Sequence, residues 1–197
     1  RHVERLQRVS RASGDTRRIA EATCIWGMLH LARGEHERAR RDLETAGAIA
    51  ATLGADRLQL RCRMTVAEME MRLGDLDAGE EAARWAVRFA DERGILATRA
   101  QANVLLALIA ILRDDRQRAR PEIDAAEVAL QATPRHPLWL HVGVLRAAAA
   151  ADDGDERACR AWWSVARERG VELRSGADLR PALIWLVVSR IVLIPVI

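Results

Sequence analysis

A helix-ending corner recurs along this chain at a fixed interval of 40 residues. Glycine stands at three of the four equivalent corners and aspartate at the other: Gly34, Gly74, Asp114 and Gly154. A second set of stop signals lies halfway between them, at Gly14, Gly54, Gly94 and Pro134. Glycine closes helices in the left-handed conformation, and proline cannot continue a helix. Because an internal repeat of this length decides the architecture, the sequence predicts consecutive helix pairs of 40 residues each.

The composition agrees with an all-α fold. Half of the residues are apolar, yet the chain has one Phe and no Tyr, so residues that favour strands are scarce. Small residues recur at fixed places in the expected helices: Gly27, Ala67, Ala107 and Ala147 in the first helix of each pair, and Ala39, Gly79, Ala119, Cys159, Ala46, Ala86, Ala126 and Ala166 in the second. We expect these positions to let helices pack closely, Gly27 above all.

The repeat divides the 197 residues into a single helical-repeat domain. Residues 1–14 read as the second helix of a preceding repeat, and 175–197 as the first helix of a fifth, so we expect a fragment of a larger protein. The four complete repeats are 15–54, 55–94, 95–134 and 135–174. Their helices are predicted at 16–33, 35–53, 57–73, 75–93, 95–113, 115–132, 137–151 and 155–169.

Two local features refine these helices. Asp75, Asp115 and Asp155 stand at helix starts, where a carboxylate caps free N–H groups and meets the positive end of the helix dipole. Pro121 falls inside the expected second helix of the third repeat. It predicts either a kink there or a helix that begins later and carries the proline in its first turn.

The stretch 182–197 is almost wholly apolar, interrupted by Ser189 and Arg190 and broken by Pro195. A membrane span needs about 20 apolar residues, and an arginine at its centre is costly. We therefore favour a helix buried against further sequence over a transmembrane helix. If this helix is exposed instead, its apolar surface favours self-association.

The small-residue scaffold and the glycine corner together resemble the tetratricopeptide repeat over nearly the whole chain. The aromatic residue that this family carries in its first helix is replaced here by His30, Glu70, Ala110 and Ala150, and the proline after the second helix survives only as Pro134. The standard period is 34 residues. The longer period is similar to the helical array of large LuxR-type transcriptional regulators, including the maltose-activator class, and of related signal-transduction ATPases. The resemblance implies a right-handed superhelix (α-solenoid) of antiparallel helix pairs.

Several chemistries lack their residues in this chain. All 31 basic residues are arginine, so the lysines of a P-loop, a kinase or a pyridoxal-phosphate enzyme are missing. The five histidines are scattered without metal-ligand spacing. Cys24, Cys62 and Cys159 form no CxxC pair, so we interpret them as buried helix residues in a reducing, cytoplasmic compartment. We therefore expect no catalytic residues, cofactor or metal.

Stacked helix pairs would present a concave surface lined mainly by the first helices. In the tetratricopeptide register this binding face includes Glu21, Met28, Arg61, Met64, Glu68, Arg72, Gln101, Val104 and His141, with Cys24, Leu108 and Val144 between them. Methionines adapt to apolar partners, and arginines pair with acidic groups. Trp26, Trp85 and Trp163 fall at packing positions, whereas Trp139 is the aromatic residue expected to be exposed.

Three functional hypotheses follow. The first is a non-catalytic protein-interaction and sensor region of a multidomain regulator, which binds a protein or peptide in the concave groove or a small-molecule inducer. The second is a stand-alone adaptor with the same fold, and the third is an enzyme whose site lies in the helical array. Arginines alternate with acidic residues, as around Arg38, Arg40 and Arg41 beside Glu37 and Asp42, so we expect no direct nucleic-acid binding.

Overall fold

The computed structural model describes residues 15–172, and these form eight helices joined by short corners. The helices are α1 (Thr16–Ala32), α2 (His36–Thr52), α3 (Asp56–Leu73), α4 (Leu76–Glu92), α5 (Leu96–Leu112), α6 (Arg116–Leu130), α7 (Leu138–Asp152) and α8 (Glu156–Glu172). Each begins and ends within three residues of its predicted position, so the all-α fold of helix pairs is confirmed. The predictions for 1–14 and 175–197, self-association included, lie outside the described residues.

The helices group into two compact units that divide after Gly94. In unit 1, α1 packs on α2 and α3 packs on α4, while α2 and α1 also contact α3. In unit 2, α5 packs on α6 and α7 packs on α8, while α6 and α5 also contact α7. Each unit therefore contains two helix pairs stacked in the same way. Whether the whole chain forms a single domain stays a prediction.

The predicted corners are left-handed helix ends. The backbone φ angle is positive at Gly34, Gly54, Gly74, Gly94 and Gly154, and Asp114 takes the same conformation with φ 57°. At the first corner, Gly34 N–H donates to the carbonyl of Leu31 at 3.0 Å, and Glu35 N–H donates to that of His30 at 2.9 Å. These bonds satisfy carbonyl groups that the helix end leaves free. The corner signal is local, which explains why the sequence locates the helices so closely.

The predicted caps are confirmed. The Asp75 carboxylate accepts a hydrogen bond from Ala78 N–H at 3.0 Å, and Asp115 and Asp155 accept equivalent bonds. Pro121 lies inside α6, which begins at Arg116, so the alternative of a later helix start is wrong. Asp115 already fixes the start of the helix one and a half turns earlier, and the ring at Pro121 is exposed.

Small residues form much of the core. Ala39, Ala46, Ala86 and Ala126 are fully buried, and larger side chains such as Leu43 fill the space between the helices of a pair. Gly27 permits the predicted close approach, since a Cβ atom built there would lie 2.7 Å from Leu43 Cγ. Within residues 15–172, no helix is long and apolar enough to cross a membrane.

Candidate functional site

The structure divides the predicted binding face into surface and core positions. One position of each first helix, occupied by Cys24, Met64, Val104 and Val144, is at most 5% exposed in all four pairs. The prediction that Met64 and Val104 contact a ligand is therefore wrong. Each of these four residues lies three positions after Glu21, Arg61, Gln101 or His141. Three residues of an α-helix turn a side chain by about 60° around the helix axis from the first one. That turn directs this position into the neighbouring helices.

The remaining predicted residues lie at or near the surface. In unit 1, Met28 is 43% exposed and Arg61 and Arg72 are exposed, while Glu21 and Glu68 are half-buried. Glu21 Oε1 accepts a hydrogen bond from Arg17 Nε at 3.3 Å, so it is partly engaged within its own helix. We call Glu21, Met28, Arg61, Glu68 and Arg72 the first-helix stripe.

The stripe runs over two helices that contact each other. Glu21 and Met28 lie on α1, and the other three residues of the stripe lie on α3. The two arginines, Arg61 and Arg72, are 11 residues apart on the same face of α3, which corresponds to about 16 Å along the helix. The stripe therefore presents two arginines, two glutamates and an adaptable thioether on one surface of unit 1.

In unit 2, the predicted surface residues are less exposed than Met28, Arg61 and Arg72 of unit 1. Gln101 and His141 are half-buried and occupy the repeat position of Arg61, whereas Ala148 takes the place of Glu68 and is buried. Burial lowers the pKa of His141, which favours its neutral form. Its Nδ1 atom is buried and has no hydrogen-bond partner in the described ranges.

The tryptophan predictions are partly wrong. Trp139 is half-buried: it packs against the core of unit 2, and its Nε1–H donates to the Thr133 carbonyl at 3.1 Å. Trp26, Trp85 and Trp163 are half-buried rather than fully enclosed. Trp85 stacks on Phe89 with ring centroids 4.6 Å apart, and the Arg63 guanidinium lies 5.8 Å from the Trp85 ring. Sequence spacing alone did not show that Trp85 borders a cavity.

That cavity, which we call the α2–α4 cavity, lies in unit 1 on the side of α3 opposite the first-helix stripe. Its volume is about 320 Å³, near the lower end for small-molecule sites. Its lining combines apolar groups with three polar side chains: Leu43, Glu44, Gly47, Ala48, Ala51, Gln59, Cys62, Arg63, Val66 and Trp85. Sequence analysis missed it because its residues come from three helices.

Comparison with unit 2 explains why the cavity is open. The residues 80 positions after Gly47 and Val66 are Glu127 and Arg146, and Arg146 Nε donates to Glu127 Oε2 at 2.9 Å. This ion pair occupies the place that the small Gly47 and the shorter Val66 leave free. The repeat alignment was therefore a signal that could have located the cavity.

Arg63 supplies the positive charge of the cavity lining. Its Nε atom is buried and has no hydrogen-bond partner in the part of the chain that the structure describes. Its closest carboxylate contact is Nη2 to Glu81 Oε1 at 4.0 Å, and the Glu81 side chain is 81% exposed. An arginine held this weakly can turn a donor pair toward a carboxylate. Among residues 15–172 there is no cluster of three or more His, Cys, Asp or Glu that could hold a metal ion.

Comparison with known proteins supports the fold. No family model matches the chain, and no curated protein matches it. Among solved structures, the crystal structure of BtubC (BKLC) from P. vanneervenii matches with a TM-score of 0.66 at 15% sequence identity. The match covers 83% of this chain and 68% of that chain. At this identity the likeness shows a shared helical-repeat fold and nothing about activity or ligand.

Proposed function

We propose that this chain is a protein-interaction module, and that it serves as the regulatory region of a multidomain transcriptional regulator or signalling ATPase. The observation that carries the binding role is the first-helix stripe, where Met28, Arg61 and Arg72 are exposed on helices whose other residues are mostly buried or half-buried. The regulator assignment rests on the 40-residue period and the tetratricopeptide-like placement of small residues. A Walker motif upstream or a helix-turn-helix downstream in the full reading frame would separate it from a stand-alone adaptor.

The spacing of the two exposed arginines of the stripe defines the kind of partner. Two arginines about 16 Å apart match acidic residues about five positions apart in an extended peptide, because a residue spans about 3.3 Å. Met28 offers an adaptable contact for an apolar side chain of the same peptide. The proposed ligand is therefore an extended, acidic segment of a partner protein.

Reversing both charges should weaken this binding strongly. We expect Arg61→Glu with Arg72→Glu to weaken partner capture at least 100-fold, since each hydrogen bond to a charged group contributes about 1.5 to 3 kcal/mol. The measurement is a quantitative pull-down from lysate of the source cell with full-length protein as bait.

The matched control carries the same charge change elsewhere. Arg41 on α2 and Arg88 on α4 are exposed and lie on second helices, so Arg41→Glu with Arg88→Glu should retain the partners. Equal retention by both double variants would show that the stripe is not the binding surface. Circular dichroism of the two variants checks that both are folded.

The α2–α4 cavity favours a second candidate function, which is the sensing of a small carboxylate. Arg63, with its unpartnered Nε, would bind the carboxylate, while Val66 and the Trp85 ring would contact the apolar part. A ligand of this kind would act as the inducer of a regulator whose partner binds at the first-helix stripe on the other side of α3.

Filling the cavity tests this candidate. We expect benzoate or hexanoate to bind the full chain in isothermal titration calorimetry, and benzylamine and hexylamine not to bind. Arg63→Gln should remove the binding, and so should Gly47→Glu with Val66→Arg, which copies the ion pair of unit 2. Unchanged carboxylate binding by Arg63→Gln would exclude this cavity as the site.

A further inference from the structure

The α2–α4 cavity has a carboxylate as well as a guanidinium in its lining. Glu44 lies on α2 and Arg63 on α3, and both line the cavity. The Glu44 carboxylate makes no hydrogen bond or ion pair with the side chains of residues 15–172. The lining therefore offers an acceptor for a positive group and a donor for a negative group, and the two groups do not satisfy each other.

Unit 2 shows what the protein itself places beside the equivalent carboxylate. Asp124 is the residue 80 positions after Glu44, and its carboxylate forms an ion pair with Arg146. Arg146 stands where unit 1 has Val66, and its guanidinium also pairs with Glu127. Unit 1 therefore keeps the acidic residue, whereas an apolar residue replaces its cationic partner. The cavity leaves open the place that the Arg146 guanidinium takes in unit 2.

The polar groups of the cavity are ordered along α3. Arg63 precedes Val66 by three residues, which corresponds to about 4.5 Å along the helix axis. Gln59 lies one turn before Arg63 on the same face and also lines the cavity. Its amide nitrogen can donate to the same carboxylate as the guanidinium. A ligand would therefore place its negative group between Gln59 and Arg63 and a positive group over Val66, beside Glu44.

We propose that the α2–α4 cavity binds an α-amino acid with an apolar side chain. The ligand carboxylate accepts hydrogen bonds from Arg63 and Gln59, and the ligand ammonium donates to Glu44. The apolar side chain packs on Trp85, and the cavity volume of about 320 Å³ suits a ligand of this size. This inference rests on the second proposed function, the sensing of a small carboxylate, and adds the ammonium group to the ligand.

Three ligands of the same shape test the inference. They are L-phenylalanine, 3-phenylpropionate, which lacks the ammonium, and 2-phenylethylamine, which lacks the carboxylate. The measurement is isothermal titration calorimetry with the full chain at neutral pH. We expect phenylalanine to bind about fivefold more tightly than 3-phenylpropionate, because an ion pair with an exposed carboxylate contributes up to about this factor. The amine should not bind. L-Leucine should exceed 4-methylpentanoate in the same way.

Glu44→Gln isolates the contact with the ammonium. Glutamine keeps the size of the side chain and removes its charge, so phenylalanine should bind about fivefold more weakly, whereas 3-phenylpropionate should bind at least as well as before. Glu81→Gln is the matched control. Glu81 lies 4.0 Å from Arg63 but outside the cavity lining, so its substitution should change the binding of both ligands alike and keep their ratio. Circular dichroism checks that both variants are folded.

The outcomes separate this inference from the function on which it rests. If 3-phenylpropionate binds as tightly as phenylalanine or more tightly, the amino-acid assignment is overturned and the carboxylate sensor remains. A preference for phenylalanine that survives Glu44→Gln would also overturn the assignment, because the ammonium would then lie elsewhere. If neither acid of either pair binds, or if Arg63→Gln binds them unchanged, both the amino-acid site and the carboxylate sensor are excluded.

Discussion

Replacing Arg40 with methionine is expected to lower the free energy of unfolding by about 3 kcal/mol or more. Arg40 Nη2, on α2, lies 2.9 Å from Oε1 and 3.0 Å from Oε2 of Glu70, on α3. The Glu70 side chain is 3% exposed, whereas that of Arg40 is 36% exposed. Removing the arginine leaves the buried Glu70 carboxylate with no side-chain ion pair among residues 15–172. The measurement is urea unfolding followed by circular dichroism.

The partner substitution should cost less, because the two ends of this pair differ in exposure. In Glu70→Leu, the Arg40 guanidinium can turn toward water, and leucine restores apolar packing in the buried place. Buried ion pairs that are replaced by apolar residues on both sides are often neutral in stability. We therefore expect Arg40→Met with Glu70→Leu to recover most of the loss caused by Arg40→Met alone.

A nearby exposed pair is the control for this prediction. Arg38 Nη1 lies 2.9 Å from Glu35 Oε2, a distance similar to that of the buried pair, but the two side chains are 66% and 34% exposed. Arg38→Met should therefore change stability by less than about 1 kcal/mol. If Arg40→Met unfolds at the same urea concentration as Arg38→Met, the Arg40–Glu70 pair does not hold α2 to α3.

The sequence predicted the helices well because their ends are encoded locally. A glycine such as Gly34 ends a helix through its own φ angle, and an aspartate such as Asp75 caps one within three residues. Neither signal depends on distant parts of the chain. The repeat then adds further instances of the same signal. An exception such as Asp114, which stands where the other repeats have glycine, is therefore recognised as a helix end from its position.

The candidate sites were less predictable because they depend on contacts between helix pairs. The predicted binding face was assigned by register, but two of its residues, Met64 and Val104, lie in the core because neighbouring helices cover them. Glu70 was visible in the sequence as a charged residue inside a first helix, whereas its partner Arg40 lies 30 residues earlier on another helix.

Gly27→Ala and Gly47→Ala are expected to change stability in opposite directions. Both glycines lie inside helices, where alanine is favoured by about 1 kcal/mol. At Gly27, however, the new methyl group would lie 2.7 Å from Leu43 Cγ and 3.2 Å from the Ala39 carbonyl oxygen. Leu43 is 1% exposed, so it has little space to move. Overpacking of this kind costs about 1 to 3 kcal/mol, and the backbone contact adds to it.

At Gly47 the same methyl group would meet only Cys62 Cβ, at 3.5 Å, which is an ordinary contact. The helical gain should then prevail and raise the free energy of unfolding by about 0.5 to 1 kcal/mol. Gly27→Ala should lower it by about 2 kcal/mol, because the steric cost exceeds that gain. Urea unfolding of the two variants beside the unchanged chain measures both values. A Gly27→Ala variant as stable as Gly47→Ala would mean that α1 and α2 can separate without cost, and that the small residue is not what sets their distance.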